Sequence, residues 1–442
     1  MFRFPGLILI MAAGLLALVI ASNVTADARH EVDLRSLRPV AEHASTMLVE
    51  GQRTFRYDTF GDEAFWGDTL RLHQALAGER LGGVGPGVSP ATALAVGLKL
   101  DVDALSPSTR LALRRRTLDL NNPANTLRLL RADAVLGLKG FFEGQRLASI
   151  GVQCALCHST VDNSFAPGIG RRLDGWPNRD LNVGAIVALA PDLSAITTLL
   201  GVDDTSLRKV LNSWGPGRYD ASVFLDGKAM RPDGKTAAVM IPAAFGLAGV
   251  NLHTSTGWGG VSHWNALVAN LEMHGKGVFY DPRLNDPVRF PVAARAGFAD
   301  VRNDPDLVTP KLPALQFYQL ALDAPRPARG SFNRRLAAEG KEVFNGRARC
   351  ATCHVPPLFT EPGWNMHTAD EIGIDDFQAQ RSPDVRYRTT PLRGLFTRLQ
   401  GGFYHDGRFK TYGAVVDHYD RTFALGLSGS DRAALIEYLK SL

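Results

Sequence analysis

Two copies of the pattern Cys-x-x-Cys-His occur in this chain, and together they use all four of its cysteines. This spacing is the signature of c-type haem attachment, in which the two thiols bond to the porphyrin and the histidine binds the iron. The sequence therefore predicts two covalently bound haem c groups. The residues that would hold them are Cys154, Cys157 and His158 in the first copy, and Cys350, Cys353 and His354 in the second.

Two other kinds of site use paired cysteines, and both explain the pattern less well. A structural zinc site needs four nitrogen or sulfur ligands and gives no reason for a histidine to follow the second cysteine twice. A thioredoxin-like redox pair belongs to a cytosolic setting. This sequence indicates export from the cytosol instead, because its N-terminus has the pattern of an export segment.

The N-terminal segment predicts export across the cytoplasmic membrane. Arg3 is followed by an almost unbroken apolar run, Leu7–Ala21, and then by the small-residue sequence Ala26-Asp27-Ala28. This is the pattern of a secretory signal peptide, which we place at residues 1–28. The run is short for a membrane span of about 20 residues, so an uncleaved membrane anchor is the lesser alternative. Both interpretations place the haem domains in the periplasm.

The rest of the chain is divided by its motifs and turns into three parts. Residues 29–95 carry no haem motif and form an N-terminal extension, which is aromatic and acidic over Phe55–Trp66. Residues 96–330 form the first haem domain. Residues 331–442 form the second cytochrome c haem domain, which opens with an amphipathic helix pattern over Leu336–Phe344. Because strand-like alternation is scarce, we expect a mostly α-helical fold with two cytochrome c-like domains.

The charge of the chain bears on its partners. The formal net charge is +5, and the sequence has no basic stripe of the kind that binds nucleic acid, so nucleic-acid binding is not expected. A mildly basic surface can steer an acidic redox protein towards it, although an ordinary soluble surface explains the same charge more simply. A membrane is expected as a partner only if the signal segment is not cleaved.

The C-terminal part of the chain resembles a known family. Its second haem segment is similar to the second haem domain of the bacterial di-haem cytochrome c peroxidase superfamily, which also includes the di-haem enzyme that matures a tryptophan-derived quinone cofactor and the di-haem rubber oxygenases. The resemblance is strong over residues 331–442, weaker over residues 145–285, and absent over residues 29–95. The segments that carry it are Arg388–Gly394, Gly402–Phe409 and Val415–Tyr419.

The resemblance implies that one haem is the reaction site and that the other relays or stores electrons. Trp258 stands where the family has a tryptophan between the haems, which implies an aromatic bridge for electron transfer. Glu272 follows in the family's order, though at a shorter interval, where the family's glutamate overhangs the open face of the reacting haem. A carboxylate there can take a proton from peroxide and return it to the leaving oxygen. The alternatives are a core tryptophan and an ordinary surface glutamate.

The resemblance also concerns the sixth iron ligand of the second haem. In the family a methionine or tyrosine stands a fixed step after the histidine of a His-Asp-Gly motif, and that step from His405 reaches Tyr419. We therefore expect His354 and Tyr419 to bind the second iron. The neighbouring His418 is the second candidate and Met366 the third. His405 itself is implied to be a structural or inter-haem hydrogen-bonding residue.

The chain departs from the family in two places. Classical members carry a removable distal histidine shortly after the first motif, but here no histidine occurs between His158 and His253. The first haem is then either open without prior reduction or capped from a long loop, and each candidate cap is more readily explained as a structural residue. Gln400 and Gly402 stand where the family's inter-haem calcium site has threonine and proline, so calcium is left open and is not predicted. The candidate caps are Met230, Met240, His253 and His263.

Three functions follow from these residues. The leading hypothesis is a periplasmic di-haem oxidoreductase that reduces a small-molecule oxidant, peroxide, at the first haem with electrons relayed by the second from a small cytochrome c or cupredoxin. The second is a non-enzymatic electron carrier in which both irons are six-coordinate. The third is an oxygenase that acts on an organic substrate through an apolar channel. The feature that separates the first two is an open face on the first haem.

Overall fold

The computed structural model describes residues 37–442, so the predicted signal peptide at residues 1–28 lies outside the described residues. The packing of Cα atoms divides the chain into residues 1–46 and residues 47–442, and the second of these is one compact unit that contains both Cys-x-x-Cys-His motifs. The domain limits at 96–330 and 331–442 stay predictions. Among the described residues, no helix has the length and apolar character that crossing a membrane requires.

The described chain is mostly helical, which confirms the predicted fold class. Most helices are short, and many begin at a side-chain cap or a proline, such as Ser106 and Pro107 at the start of one of them. The α-helices in chain order are α1 (Arg38–Tyr57), α2 (Leu72–Ala77), α3 (Pro90–Ala95), α4 (Pro107–Arg114), α5 (Pro123–Arg131), α6 (Ala155–His158), α7 (Val183–Val187), α8 (Ser194–Leu200), α9 (Asp204–Trp214), α10 (Val223–Asp226), α11 (Val261–Leu267), α12 (Pro291–Ala296), α13 (Leu312–Ala321), α14 (Arg334–Asn345), α15 (Tyr412–Thr422) and α16 (Gly429–Ser441).

The strands of the described residues pair two by two into five small ribbons. Strands β1 and β5 are parallel, and the pairs β2–β3, β4–β6, β7–β8 and β9–β10 are antiparallel. The longest ribbon is the hairpin β2–β3, which turns at Gly144 (φ +58°) and runs directly into the first motif. The strands are β1 (Leu100–Asp101), β2 (Leu138–Glu143), β3 (Arg146–Val152), β4 (Ser159–Val161), β5 (Ile169–Gly170), β6 (Arg172–Asp174), β7 (Arg218–Tyr219), β8 (Val239–Met240), β9 (Val278–Tyr280) and β10 (Asp300–Arg302).

The N-terminal extension belongs to the main hydrophobic core. Phe55, Phe60 and Leu70 are fully or almost fully buried in the same apolar cluster as Ile150 of β3. A separate cluster is built from the last 100 or so residues, around Phe344 of α14 and the buried face of α16. The extension therefore contributes to the core around the first motif.

Helices α14 and α16 cross at close range at Gly340. A Cβ atom on Gly340 would lie 2.0 Å from the backbone oxygen of Ala434, so only glycine fits. One turn further along α14, the Phe344 ring packs edge-on against Tyr438 of α16, with 5.2 Å between ring centroids. The amphipathic helix predicted at 336–344 is thus confirmed, and its apolar face is buried against α16.

We expect the substitution Gly340→Ala to destabilise the protein by about 1–3 kcal/mol, because the added methyl group forces the two helices apart. The measurement is thermal or denaturant unfolding of the haem-loaded protein. Gly429→Ala is the matched control, since Gly429 lies in the partner helix α16 and has no atom within 4 Å of its Cβ position. Equal unfolding midpoints for the two variants would show that the close crossing is not needed.

Candidate haem sites

The first Cys-x-x-Cys-His motif is held between strand β3 and a distant loop. The Asp62 carboxylate accepts a hydrogen bond from the backbone N–H of Val152 at 3.1 Å, which fixes the end of β3 just before Cys154. Helix α6 then carries the motif. The Nδ1 atom of His158 lies 3.1 Å from the backbone oxygen of Pro242, two residues after β8. The imidazole ring is therefore oriented by a carbonyl group 84 positions away in the chain.

The second motif is held in the same way by a nearer carbonyl group. Helix α14 ends at Asn345, and a 3₁₀ turn over Cys350–Thr352 presents the cysteines. The Nδ1 atom of His354 lies 3.0 Å from the backbone oxygen of Phe359. The ring of His354 also faces the Phe344 ring, with 6.5 Å between centroids.

Both histidines have the chemistry that an iron ligand requires. Burial lowers the pKa of His158, and it lowers the pKa of His354 to about 4, so both rings are neutral. Each Nδ1–H is directed at a backbone carbonyl, which leaves the Nε2 lone pair available. Metal-binding histidines are commonly fixed in this manner. The residues present therefore fit haem iron at both motifs.

The cysteines argue against a redox dithiol. All four are free thiols, and burial raises the pKa of Cys154, Cys157 and Cys350 to about 12. A reactive redox cysteine instead has a lowered pKa next to positive charge.

A metal site other than haem has one candidate among residues 37–442. Cys353, Glu361 and His367 place one ligand atom each within 4.8 Å of one another. That group offers three ligands where structural zinc takes four, and it uses a cysteine of the attachment motif.

Glu272 faces the first motif. It closes a wide helical turn, Val268–Glu272, that continues α11. Burial raises the pKa of the Glu272 carboxyl to about 8, and the Asp220 carboxylate adds to the rise. In turn, burial and then the charge of Glu272 raise the pKa of the Cys157 thiol and of the Tyr219 phenol. Glu272, Tyr219 and Cys157 are each half-buried, and they share one electrostatic environment.

A buried ion-pair triad lies behind this environment. Arg381, with 1% of its surface exposed, donates to the Asp226 carboxylate at 2.8 and 3.0 Å and to Asp220 at 3.2 Å. Asp220 directly follows Tyr219 at the end of β7. The triad thus joins the second haem segment to the strand that carries Tyr219.

The N-terminal extension holds the turn that carries Glu272. The indole Nε1–H of Trp66 donates to the backbone oxygen of Met273 at 2.9 Å. The Phe65 ring stacks on His274 with 3.6 Å between centroids and 19° between planes. The aromatic stretch of the extension therefore positions the turn on which Glu272 lies.

Trp258 is 5% exposed and lies in an aromatic cluster. Its ring centroid is 5.3 Å from that of Trp264 and 5.9 Å from that of Phe290. The preceding residue, Gly257, lies against Arg388, since a Cβ atom on Gly257 would be 3.2 Å from the Arg388 Cβ. Trp258 is thus next to the second haem segment, and its role as a bridge stays a prediction.

The candidate ligands of the second iron lie on α15. Burial raises the pKa of the Tyr419 phenol, and the Cys350 and Cys353 thiols also raise it. Tyr419 therefore lies near the second motif. The Nε2 atom of His418 is 2.9 Å from the backbone oxygen of Ile372, so this ring atom already has a partner. The Tyr419 phenol is also paired, with Tyr404, so the order Tyr419 before His418 stays a prediction.

His405 occupies a structural position. Its ring stacks on Tyr387 with 5.2 Å between centroids and 13° between planes. Its backbone oxygen accepts a hydrogen bond from Met240 at 2.6 Å. This is compatible with the structural or hydrogen-bonding role that the resemblance implies.

The proposed caps of the first haem are dispersed. Met230 is 41% exposed, and Met240 packs against Gly401 and Gly407. The Nε2 atom of His253 is 3.1 Å from the backbone oxygen of Val250, and His263 lies 3.7 Å from Asp281. Met366, the third candidate for the second iron, lies against Gly257. Glu272 and Tyr219 lie near Cys157 of the first motif, and Asp58 and Asp62 lie near Cys154.

Several residues of the site gave no signal in the sequence. Tyr219 and Asp220 stand in no recognisable motif. The hydrogen bonds to His158 and His354 are accepted by the backbone oxygens of Pro242 and Phe359, which any residue type would supply. The aromatic stretch Phe55–Trp66 was visible, but its contact with the Glu272 turn depends on tertiary packing.

Comparisons with known proteins confirm a resemblance to the di-haem superfamily over part of the chain. No family model matches the chain. The methylamine utilization protein MauG of Methylorubrum extorquens is 33% identical over 88 residues, which are 19% of this chain and 24% of that protein. This chain therefore aligns with about a quarter of that relative's length.

Two solved structures are also similar in part. Hydrazine synthase of Kuenenia stuttgartiensis is 16% identical with a TM-score of 0.25, and the match covers 50% of this chain and 86% of that one. A MauG-like protein associated with microbial copper homeostasis is 17% identical with a TM-score of 0.28, and the match covers 52% of this chain and 78% of that one. Likeness at this level carries no argument about the function of this chain.

We expect Trp66→Phe to loosen the turn that carries Glu272. The substitution keeps a ring in place but removes the hydrogen bond to Met273, at a cost of about 0.5–1.5 kcal/mol. Hydrogen–deuterium exchange over Val268–Met273 should become faster, and the unfolding temperature should fall. Trp364→Phe is the control, because Trp364 is 75% exposed. Unchanged exchange in the Trp66 variant would contradict the assigned contact.

Proposed function

We propose that this protein is a periplasmic oxidoreductase with two covalently bound haem c groups, which reduces peroxide at the first haem. The observation that carries the proposal is the half-buried Glu272 carboxyl, whose charge acts on Cys157 of the first motif. When bound, the haem supplies a redox-active iron next to this carboxyl. The partial match to MauG supports the di-haem oxidoreductase class and leaves peroxide reduction as our proposal.

Glu272 has the properties of an acid–base group for this reaction. Reduction of hydrogen peroxide to two waters consumes two electrons and two protons, and cleavage of the O–O bond is assisted when a group takes the proton from one oxygen and gives it to the oxygen that leaves. A group whose pKa lies near the working pH moves protons best. Burial brings the pKa of Glu272 to about 8, within that range. Glu272 takes the proton as carboxylate and returns it to the leaving oxygen.

The second haem segment supplies electrons in this proposal. His354 and Tyr419 would hold the second iron, and Trp258 follows Gly257, which lies against Arg388 of the second segment. An aromatic ring there shortens the distance that an electron must cross through saturated bonds. The electrons come from a small cytochrome c or cupredoxin, and the net charge of +5 favours an acidic surface on that donor.

The haem content tests the attachment of two haem groups. We expect the mature protein to contain two haem groups per chain in a pyridine haemochrome assay, and both should stay attached under denaturing conditions. Replacing Cys154 and Cys157 by alanine should leave only the haem of the second motif. Replacing Cys350 and Cys353 should leave only the haem of the first motif. A wild-type protein without covalent haem would refute the proposal.

Glu272→Gln tests the acid–base role. We expect peroxide turnover to fall by about 10²–10⁴-fold, because the amide cannot accept a proton. Since the ionised form of Glu272 starts the reaction, wild-type turnover should rise with pH through a midpoint near 8, and the variant should lose that rise.

The matched control for this experiment is Glu79→Gln, which makes the same chemical change at an exposed position. Both variants must carry two haem groups for the comparison to count. Turnover in the Glu272 variant equal to that of the control would refute the acid–base role of Glu272, and a haem-loaded wild type without peroxide turnover would overturn the peroxidase proposal.

A further inference from the structure

Three arginines in the interior have no carboxylate partner among the described residues. They are Arg179, Arg388 and Arg398. Arg179 is 8% exposed, and its Nε and Nη1 atoms are buried without a hydrogen-bond partner. The Nη1 atom of Arg388 is also buried without a hydrogen-bond partner. Buried charges in proteins are normally paired, and leaving a guanidinium unpaired in the interior is costly.

The hydrogen bonds that these arginines do make are to neutral oxygens. The Nε atom of Arg388 donates to the backbone oxygen of Thr254, and Arg398 donates to that of Pro391 at 2.9 Å. The positive charge is therefore not compensated by either bond.

The three guanidinium groups form one region of positive charge. Burial and then the repulsion of Arg398 lower the pKa of both Arg179 and Arg388 to about 9. Burial lowers the pKa of Arg398 itself to about 10. Arg218 adds a fourth positive charge near Arg179, and it donates to the backbone oxygen of Asp406 at 3.2 Å.

This positive region lies between the anchors of the two motif histidines. Arg388 and Arg398 line a cavity of about 110 Å³ together with Ala243 and Leu358. Ala243 follows Pro242, which holds His158, and Leu358 precedes Phe359, which holds His354. The one carboxylate that lines the cavity, that of Asp323, already pairs with Arg393.

Arg179 lies at the segment where the resemblance places an inter-haem calcium site. A Cβ atom on Gly401 would be 3.4 Å from the Arg179 Nη1 atom, and Gly401 lies between Gln400 and Gly402. The Gln400 amide donates to the neighbouring Asp180 carboxylate, which also pairs with Lys99. The nearby carboxylate is thus occupied, and the guanidinium of Arg179 remains free.

We propose that Arg179, Arg388 and Arg398 bind the propionate carboxylates of the two haem groups. This inference rests on the proposed attachment of haem c at both motifs. Each haem carries two carboxylates, and guanidinium groups bind carboxylates in a well-matched geometry. The chain then supplies from its own side chains the positive charge between the haems, at the position where a calcium ion would act in the family.

The test is a spectroelectrochemical titration of both haem groups in the mature Arg179→Gln protein. Removing a buried positive charge next to a propionate favours the ferric state, so at least one midpoint potential should fall. The freed propionate should also titrate, so that this potential becomes dependent on pH near neutrality. Arg171→Gln is the matched control, because Arg171 is exposed on the same stretch of chain and the charge change is identical.

Two further measurements separate the charge of Arg179 from its other contacts and from a bound metal ion. Arg179→Lys keeps the charge and should restore most of the wild-type potential. Calcium chloride and the chelator EGTA should leave the wild-type potentials unchanged, and a shift with calcium would show that a metal supplies the charge instead.

The proposal is overturned if Arg179→Gln, with two haem groups attached, has the potentials and pH dependence of Arg171→Gln. If Arg179→Gln does not mature, Arg398→Gln is titrated in its place, and unchanged potentials there overturn the proposal equally. Absence of covalent haem in the wild type is a different result, because it refutes the proposed function before any potential is measured.

Discussion

The pairing of Arg381 with Asp220 and Asp226 is the interaction on which the arrangement of the two haem segments depends. These partners are 161 and 155 positions apart in the chain, and the guanidinium is fully enclosed. Removing one member of such a buried set leaves an uncompensated charge and typically costs about 3–5 kcal/mol. Because Asp220 adjoins Tyr219, the triad fixes the second segment relative to the strand beside Glu272.

The interior around the two motifs has charges of both signs that are kept apart. On one side, burial and Asp220 make Glu272 a weak acid with a pKa of about 8. On the other side, Arg179 and Arg388 are buried without an anion among the described residues. The first arrangement suits proton transfer, and the second suits the binding of carboxylates. The N-terminal extension supports the first arrangement by fixing β3 and the turn that carries Glu272.

Local patterns predicted much of this structure. The attachment motifs, the helix around Leu336–Phe344 and the mostly helical fold follow from short-range spacing. Glu272 was placed by its order after Trp258, and the structure brings it to the first motif. The Pro242 carbonyl, the Arg381 triad and the unpaired arginines were not predictable, because they arise between residues far apart whose types form no local pattern. The signal peptide and the domain limits stay predictions.

The most direct test of the central claim is low-temperature electron paramagnetic resonance of the fully oxidised, haem-loaded protein. The proposed function requires the first iron to have an open position near Glu272, and it would have Tyr419 hold the second iron. It therefore predicts one high-spin and one low-spin ferric signal in equal amounts. Two low-spin ferric signals in the oxidised protein, with the remaining ferric haem still low-spin after half-reduction, would show that both irons are capped, and the protein would then be an electron carrier.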